Sequence, residues 1–179
     1  HSFNDIDNYL GKKVVKKTPI VADENKYDIA VFTTRPDTMF GVSFMTLAPE
    51  HELVAKITTK AQKEAVLNYI KATSKRSERE RMADVKTISG VFTGAYAIHP
   101  FSGEKVPIWI GDYVLANYGT GAVMAVPCGD QRDYDFAKHF GISIPNIFEN
   151  VDISEAAYTN KEGTVISNSD FLTGLTYKK

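Results

Sequence analysis

Two short stretches hold the residues whose types and spacing could do chemistry. The first is Thr33-Thr34-Arg35-Pro36-Asp37-Thr38, three hydroxyls and a guanidinium gathered around a proline stop. Hydroxyls in that setting can orient a water or an ester carbonyl. The second runs from Tyr118 to Asp133, Y-G-T-G-A-V-M-A-V-P-C-G-D-Q-R-D. It reads as a glycine-punctuated turn, an apolar strand from Ala122 to Val126, a stop at Pro127 and the acidic start of a helix. Asp130 is a good N-cap, and Asp133 stands three residues later in the capping-box position. Two readings fit these aspartates. They cap the helix and do no more, or an apolar floor of Met124 and Val126 leads to carboxylates that receive a small ligand with an apolar side chain and an ammonium group.

Other chemistries find less support. The histidines, His1, His51, His99 and His139, form no H-x-x-x-H pair, and a single cysteine cannot build a Cys-rich zinc site. No metal or cofactor is therefore expected. Cys128 has aspartates rather than a basic partner nearby, which raises a thiol pKa, so it is read as structural. No G-x-S-x-G elbow is present, and Gly119-Thr120-Gly121 is too short for a phosphate loop.

The elements that must position these stretches follow from periodicity and punctuation. Residues 3 to 26, with Lys12, Lys13, Lys16 and Lys17 around Val14-Val15, read as an exposed edge strand, since lysines protect edges from pairing. Tyr27 to Thr34 alternates as a strand, with Ile29, Val31 and Thr33 on one face. Asp37 and Gly41 mark a turn, and Ser43 to Leu47 reads as the returning strand. Short helices are expected over Pro49–Ile57 and Thr59–Ala72, the latter with a stripe of Ala65, Val66, Tyr69 and Ile70. Ser74 to Met82 reads as a solvated helix of alternating charge. Short strands follow at Val91–Thr93, Ala95–Ile98, Val106–Ile110 and Tyr113–Leu115, a meander or barrel pattern broken by glycines. Ala122 to Val126 reads as a strand buried on both faces, and Asp130 to Phe140 as a helix closed by Gly141.

At 179 residues the chain is one domain, or one domain of a longer protein. It is 43% hydrophobic and 24% charged, the balance of a soluble protein. A net charge of −1 argues against electrostatic binding along a duplex and leaves room for a local contact with a single-stranded end. One cysteine fits a reducing cytoplasm, and no secretory signal or membrane-length apolar run is visible.

T-T-R-P-D-T with F-G close behind, and G-T-G-A-V-M-A-V-P followed by D-Q-R-D, resemble the inserted editing domain of bacterial leucyl-tRNA synthetase. The run V-F-T-G-A-Y-A-I-H-P-F-S-G-E-K-V-P-I-W-I-G-D-Y-V-L is similar to the stretch that joins the two motifs in that family. The sister editing domains fit less well. Valyl enzymes tend to carry Glu where Asp37 stands, and isoleucyl enzymes carry T-T-T-P-W-T. One departure stands out, Cys128-Gly129 in place of the family's usual small residue and histidine.

The resemblance implies a mixed α/β fold of the class I synthetase editing-domain type, a β-barrel-like core of short, mainly antiparallel strands with peripheral helices. It implies one editing domain over residues 1–179, acting as a monomer within a longer synthetase and hydrolysing tRNA for leucine mischarged with isoleucine or norvaline. Its partners would be the 3′ end of the acylated tRNA and the rest of the synthetase. ATP and magnesium would belong to the parent enzyme's synthetic domain. Asp133 would hold the α-ammonium, with Asp130 supporting it and Arg132 beside them, and the helix start would keep both carboxylates ionised. Met124 and Val126 would line the side-chain pocket, and Thr38 would collide with leucine's branching methyl. Thr33 and Thr34 would surround the scissile ester and the attacking water. Arg35 would meet the tRNA end, and Tyr118 and Leu115 would pack near the terminal adenosine. Two alternatives remain, a non-catalytic module that captures the acylated end and a valyl-type editor.

Overall fold

A computed structural model describes residues 14–22, 25–84, 86–117 and 119–176. Six strands form one mixed sheet: β1 (Val14–Ala22), β2 (Asn25–Thr33), β3 (Phe44–Leu47), β4 (Gly90–Ile98), β5 (Lys105–Gly111) and β6 (Ala122–Ala125). Their order is β2-β1-β4-β5-β3-β6, and β3 beside β5 is the parallel pair. β2 and β6 stand at opposite ends of that order yet approach each other, so the sheet curls into the barrel-like form that the glycine-broken strands anticipate. Four helices lie around it: α1 (Leu53–Ile57), α2 (Lys63–Thr73), α3 (Glu78–Ala83) and α4 (Gln131–Phe140). The described residues also include the 3-10 turns Pro36–Gly41 and Asp170–Leu172 and the isolated bridges Phe148–Ile166 and Val165–Thr176.

The main core lies between the sheet and the helices. Alternation puts Ile29 and Val31 of β2 inside and leaves Phe32 41% exposed. They meet Met45 and Leu47 of β3, Ile108 and Ile110 of β5, and Leu53, Val54 and Ile57 of α1. A separate cluster of Phe44, Ala125, Phe136 and Ala137 docks α4 on the sheet, with the Phe44 and Phe136 rings stacked 5.2 Å apart. Gly90 makes room for this contact, because a Cβ there would stand 2.6 Å from Phe136 Cζ. A third cluster joins Cys128, Ile147, Phe148, Ile166 and Leu172, with Phe40 and Val126 packed against it.

Several sequence readings need correction. β1 is not an edge strand: it pairs with β2 along its whole length and with β4 at Ile20 and Val21. Residues 3–13, 23 and 24 of that reading lie outside the described residues. β3 does not return against β2 but inserts between β5 and β6. The two strands expected on either side of Gly94 are one strand, β4, interrupted by a bulge where Gly94 has φ +81°. β6 ends a sheet, and Val123 and Met124 are half-buried rather than enclosed. Tyr113 to Leu115 is a turn. In α2 the stripe is Val66, Tyr69 and Ile70, with Ala65 exposed.

α3 is the most instructive difference. Its capping box is complete, with Ser77 and Glu80 bonding each other's backbone N–H. Yet its Arg81 is only 3% exposed. The guanidinium donates from Nε to the Asp112 carbonyl at 2.8 Å, from Nη2 to the Val114 carbonyl at 2.9 Å and from Nη1 to Glu50. Arg76, just before α3, bridges Asp84 and Asp112 at 2.9 and 2.8 Å. Alternating charges in sequence therefore conceal two arginines that clamp the 112–114 turn. Arg81→Ala strands two carbonyls and leaves Glu50 to solvent, and should cost about 3 kcal/mol of stability. Arg81→Lys should recover only part of it, because an ammonium lacks the planar fork. Urea unfolding of the three proteins checks both outcomes.

Candidate functional site

The threonine corner is built from its own backbone. Pro36 opens the 3-10 turn, where its missing N–H has no partner to lose. Thr33 Oγ1 accepts the Arg35 N–H at 3.0 Å, and Thr38 Oγ1 donates to the Arg35 carbonyl at 3.0 Å. With its hydroxyl turned back to the chain, Thr38 is 5% exposed and its γ-methyl is the group left to meet a neighbour. Arg35 forms a fork with Asp37, Nε to Oδ1 at 2.9 Å and Nη2 to Oδ2 at 2.8 Å. Thr34 is exposed.

This corner is braced from outside by His99, which the sequence presented as a residue before a proline. The buried imidazole accepts the Phe101 and Ser102 N–H groups at Nδ1. Its Nε2–H therefore donates to the Met39 carbonyl, at 2.8 Å. The 3-10 turn presses on the second stretch as well. A Cβ on Gly41 would come within 3.0 Å of Val126 Cγ1 and 3.1 Å of Cys128 Sγ. Gly41, the last residue of the turn that continues the first stretch, thus lies against Val126 and Cys128 of the second. Cys128 is fully buried, and burial pushes its thiol up to about 11, so it remains a thiol.

In the second stretch, Asp130 caps α4 by accepting the Arg132 and Asp133 N–H groups at 2.9 and 3.1 Å. Asp133 does not close a capping box. It shares a helical face with Phe136, Ala137 and Phe140, the face that docks on the sheet. Its carboxylate is 6% exposed and points at the strand end, where Oδ2 accepts the Val126 N–H at 2.9 Å. Oδ1 accepts the Tyr113 O–H at 3.3 Å. Each oxygen keeps a further lone-pair site for a ligand.

Burial lifts Asp133 to about 7, with the Asp130 charge adding to the rise. The Val126 N–H, the Tyr113 hydroxyl and Arg132 pull the other way. The helix start therefore does not keep this carboxylate safely ionised, as the capping position alone implied. Desolvation outweighs the dipole, which is worth about 0.3–1 kcal/mol near a surface.

Met124 is half-buried against the main core, and Val126, beyond the end of β6, is half-buried in the cluster around Cys128. Arg132 lies over the Tyr113 ring, 5.6 Å from its centre. Leu115 is half-buried in the turn before Gly119, and Tyr118 lies outside the described residues. A cavity is lined by Asp84, Ser89, Asp112, Tyr113, Arg132, Asp135 and Phe136 among others, and no residue of the threonine corner borders it. Among the described residues no group of three His, Cys, Asp or Glu side chains could hold a metal ion. None of the helices described is long and apolar enough to cross a membrane. Sequence reasoning missed Tyr113 and Thr46, which stand 67 residues apart and meet through their hydroxyls at 3.0 Å. No spacing pattern signals a pair so distant.

A carboxyl raised from 3.8 to about 7 by folding is destabilising wherever the unfolded chain ionises it and the folded chain resists. That cost is absent below about pH 4, grows as pH rises and is complete above about pH 7. Asparagine can accept from the Val126 N–H and donate to the Tyr113 hydroxyl without carrying charge. Asp133→Asn should therefore raise Tm at about pH 8 by several degrees, and the difference should vanish near about pH 4. Calorimetry at the two pH values checks the sign.

Comparison with known proteins gives this geometry its setting. The family model described as "Leucyl-tRNA synthetase, editing domain" matches residues 7–179. A leucine–tRNA ligase of Christiangramia forsetii is 72% identical over 96% of this chain, and one of Bacteroides thetaiotaomicron is 53% identical over 90%. The chain spans 18% and 17% of those relatives' lengths. Among solved structures, the Agrobacterium radiobacter LeuRS–tRNA–LeuAMS ternary complex aligns with a TM-score of 0.63 at 30% identity, covering 86% of this chain and 18% of that one. A family model matched over nearly the whole chain, with relatives at this identity, means that the chain belongs to the leucyl-tRNA synthetase editing-domain family.

Proposed function

We propose that this chain is the hydrolytic editing domain of a leucine–tRNA ligase, clearing tRNA for leucine of wrongly attached isoleucine, norvaline and similar amino acids. The observation that carries this reading is the packing of Gly41, where the 3-10 turn that continues the threonine corner ends, against Val126 and Cys128, with the Asp133 carboxylate bonded to the Val126 N–H. A second sieve is needed because moving or removing one methylene changes binding by only about 1–3 kcal/mol.

In this reading Asp133 receives the α-ammonium of the misattached amino acid, and Asp130 supplies negative charge beside it. Met124 and Val126 face the amino-acid side chain. Thr38, its hydroxyl tied to the Arg35 carbonyl, offers a fixed methyl that leucine's branch would strike. The exposed Thr34 hydroxyl, with Thr33 behind it, orients water toward the ester carbonyl. Arg35 and Arg132 meet the phosphates of the tRNA 3′ end, and Leu115 and Tyr118 pack near its terminal adenosine. Catalysis then rests on positioning and electrostatics, with the substrate's own ribose hydroxyl as the nearest further proton acceptor. Neither a metal nor a cofactor takes part. The domain acts as a monomer inside the cytoplasmic synthetase, whose other domains supply aminoacylation and most of the tRNA contact.

Two variants separate the walls of the site. Thr38→Ala should make leucyl-tRNA a substrate, raising its deacylation at least about tenfold, the scale of one relieved methyl clash. A leucyl ester that survives as it does with the parent protein would remove Thr38 from the sieve. Asp133→Asn should lower deacylation of isoleucyl-tRNA about a hundredfold or more while the fold survives, because the neutral amide cannot pair with an ammonium. Thin-layer assays of the released amino acid read both. Release of threonine from the valine tRNA would favour a valyl-type editor, and capture of acylated tRNA without turnover would favour a binding module.

A further inference from the structure

Tyr113 and Thr46 take no part in the reading above, yet they stand directly behind its central carboxylate. Tyr113 follows Asp112, and the Asp112 peptide is held from three directions. Its N–H donates to the Tyr69 hydroxyl at 2.9 Å, its carbonyl accepts from Arg81 and its side chain accepts from Arg76. The ring packs against Phe136 of α4, with centroids 5.6 Å apart. At its tip the hydroxyl lies 3.0 Å from Thr46 Oγ1 and 3.3 Å from Asp133 Oδ1.

One assignment of protons satisfies this chain. An ionised carboxylate only accepts, so Tyr113 donates to Asp133, and the Thr46 hydroxyl then donates to the Tyr113 oxygen. Thr46 is fully buried on β3, and burial together with the Asp133 charge raises the Tyr113 hydroxyl well above its ordinary range. Tyr113 therefore keeps its proton and serves as a permanent donor. Hydrogen bonds in such a relay polarise one another, which strengthens the last one onto the charge.

We propose that Tyr113, backed by Thr46, is a positioning residue for editing: its hydroxyl holds the Asp133 carboxylate in the orientation and charge state that receive the substrate ammonium. The proposal rests on the reading of Asp133 as the ammonium receptor. The groups acting on Asp133 are few. Tyr113 comes from the 112–114 turn, and Asp130 and Arg132 come from its own helix. The sheet side offers the Val126 N–H and, through Tyr113, Thr46, neither of which titrates in this range. Asp130 opposes the charge on Asp133 while Arg132 and Tyr113 favour it, so removing the tyrosine hydroxyl shifts the balance toward the neutral acid.

The test is Tyr113→Phe, which keeps the ring and its packing. The profile of kcat/KM against pH for isoleucyl-tRNA should have an acid limb set by Asp133 and an alkaline limb set by the substrate's own ammonium. In Tyr113→Phe the acid limb should move up by about one pH unit and the alkaline limb should stay. At about pH 6.5 the rate should then fall roughly eightfold, and near pH 8 only about twofold or less. Thr46→Val should move the acid limb the same way by a smaller amount. Carbon-13 NMR titration of the Asp133 carboxyl in both proteins measures the same shift without substrate. An equal loss of rate at every pH, or an unmoved carboxyl titration, would overturn the proposal. A parent protein that fails to deacylate, with the NMR shift intact, would instead count against the editing reading and leave the Tyr113–Asp133 coupling standing.

Discussion

The carboxylate of Asp133 sits under the first turn of α4, almost out of contact with water, between a strand-end N–H and a phenol. An acid so placed is costly to ionise, and the surrounding structure can be understood as what makes ionisation possible at all. The helix start points peptide dipoles toward it, and two hydrogen bonds receive its charge. These forces offset only part of the desolvation, which is why the group titrates at about 7, well above an ordinary carboxylate. The packing fixes the geometry in which these forces meet. Phe44 and Phe136 stack, Gly90 leaves the ring its space, and β6 ends at Ala125 so that the Val126 N–H is free to turn toward the helix.

In the proposed role of ammonium receptor, a carboxylate near its titration point has a use that an exposed aspartate lacks. The attraction between opposite charges rises steeply as the local dielectric falls, so an ammonium that reaches a buried carboxylate is held more tightly than one at the surface. The folded protein is less stable for it, since asparagine would satisfy the same neighbours without a charge. This is a local rule broken at a site where the sequence otherwise agrees with its fold, the pattern expected of function. In that proposal the ligand's own charge completes what the fold leaves undone, and it supplies energy only when it is present.

How much of this was legible in the residues follows from the range of the interactions. The strand over Tyr27–Thr34, the turn at Pro36, the Asp130 cap and the Gly141 stop all rest on contacts within a few residues, and each is visible in spacing alone. α4 itself was legible, but the direction of Asp133 was not, although Asp133, Phe136, Ala137 and Phe140 recur at helical spacing on its buried face. The capping signal at Asp130 and Asp133 overlies that stripe. Edge and interior positions in the sheet failed for a different reason. Whether β1 or β6 lies outside depends on which strand arrives beside it, and pairings such as β3 with β5 join residues more than sixty positions apart. The arginines of α3 show the same limit. Arg76 and Arg81 look like solvated charges until the 112–114 turn, distant in sequence, comes to meet them.

The two walls of the site therefore differ in kind. The threonine corner is local: Thr33, Arg35, Asp37 and Thr38 bond one another within three residues, and His99 adds one brace from β4's end. Such a corner is stiff because its hydrogen bonds close small rings, and stiffness is what the steric sieve proposed for Thr38 requires. A methyl that could yield by half an ångström would not separate two side chains whose binding differs by about 1–3 kcal/mol. The acidic wall is assembled from α4, the end of β6, the 112–114 turn and, much farther away in sequence, β3. In the proposed site it sets a charge, and a charge responds to everything around it. Shape is thus kept where the chain can guarantee it alone, and electrostatics is placed where the whole fold contributes.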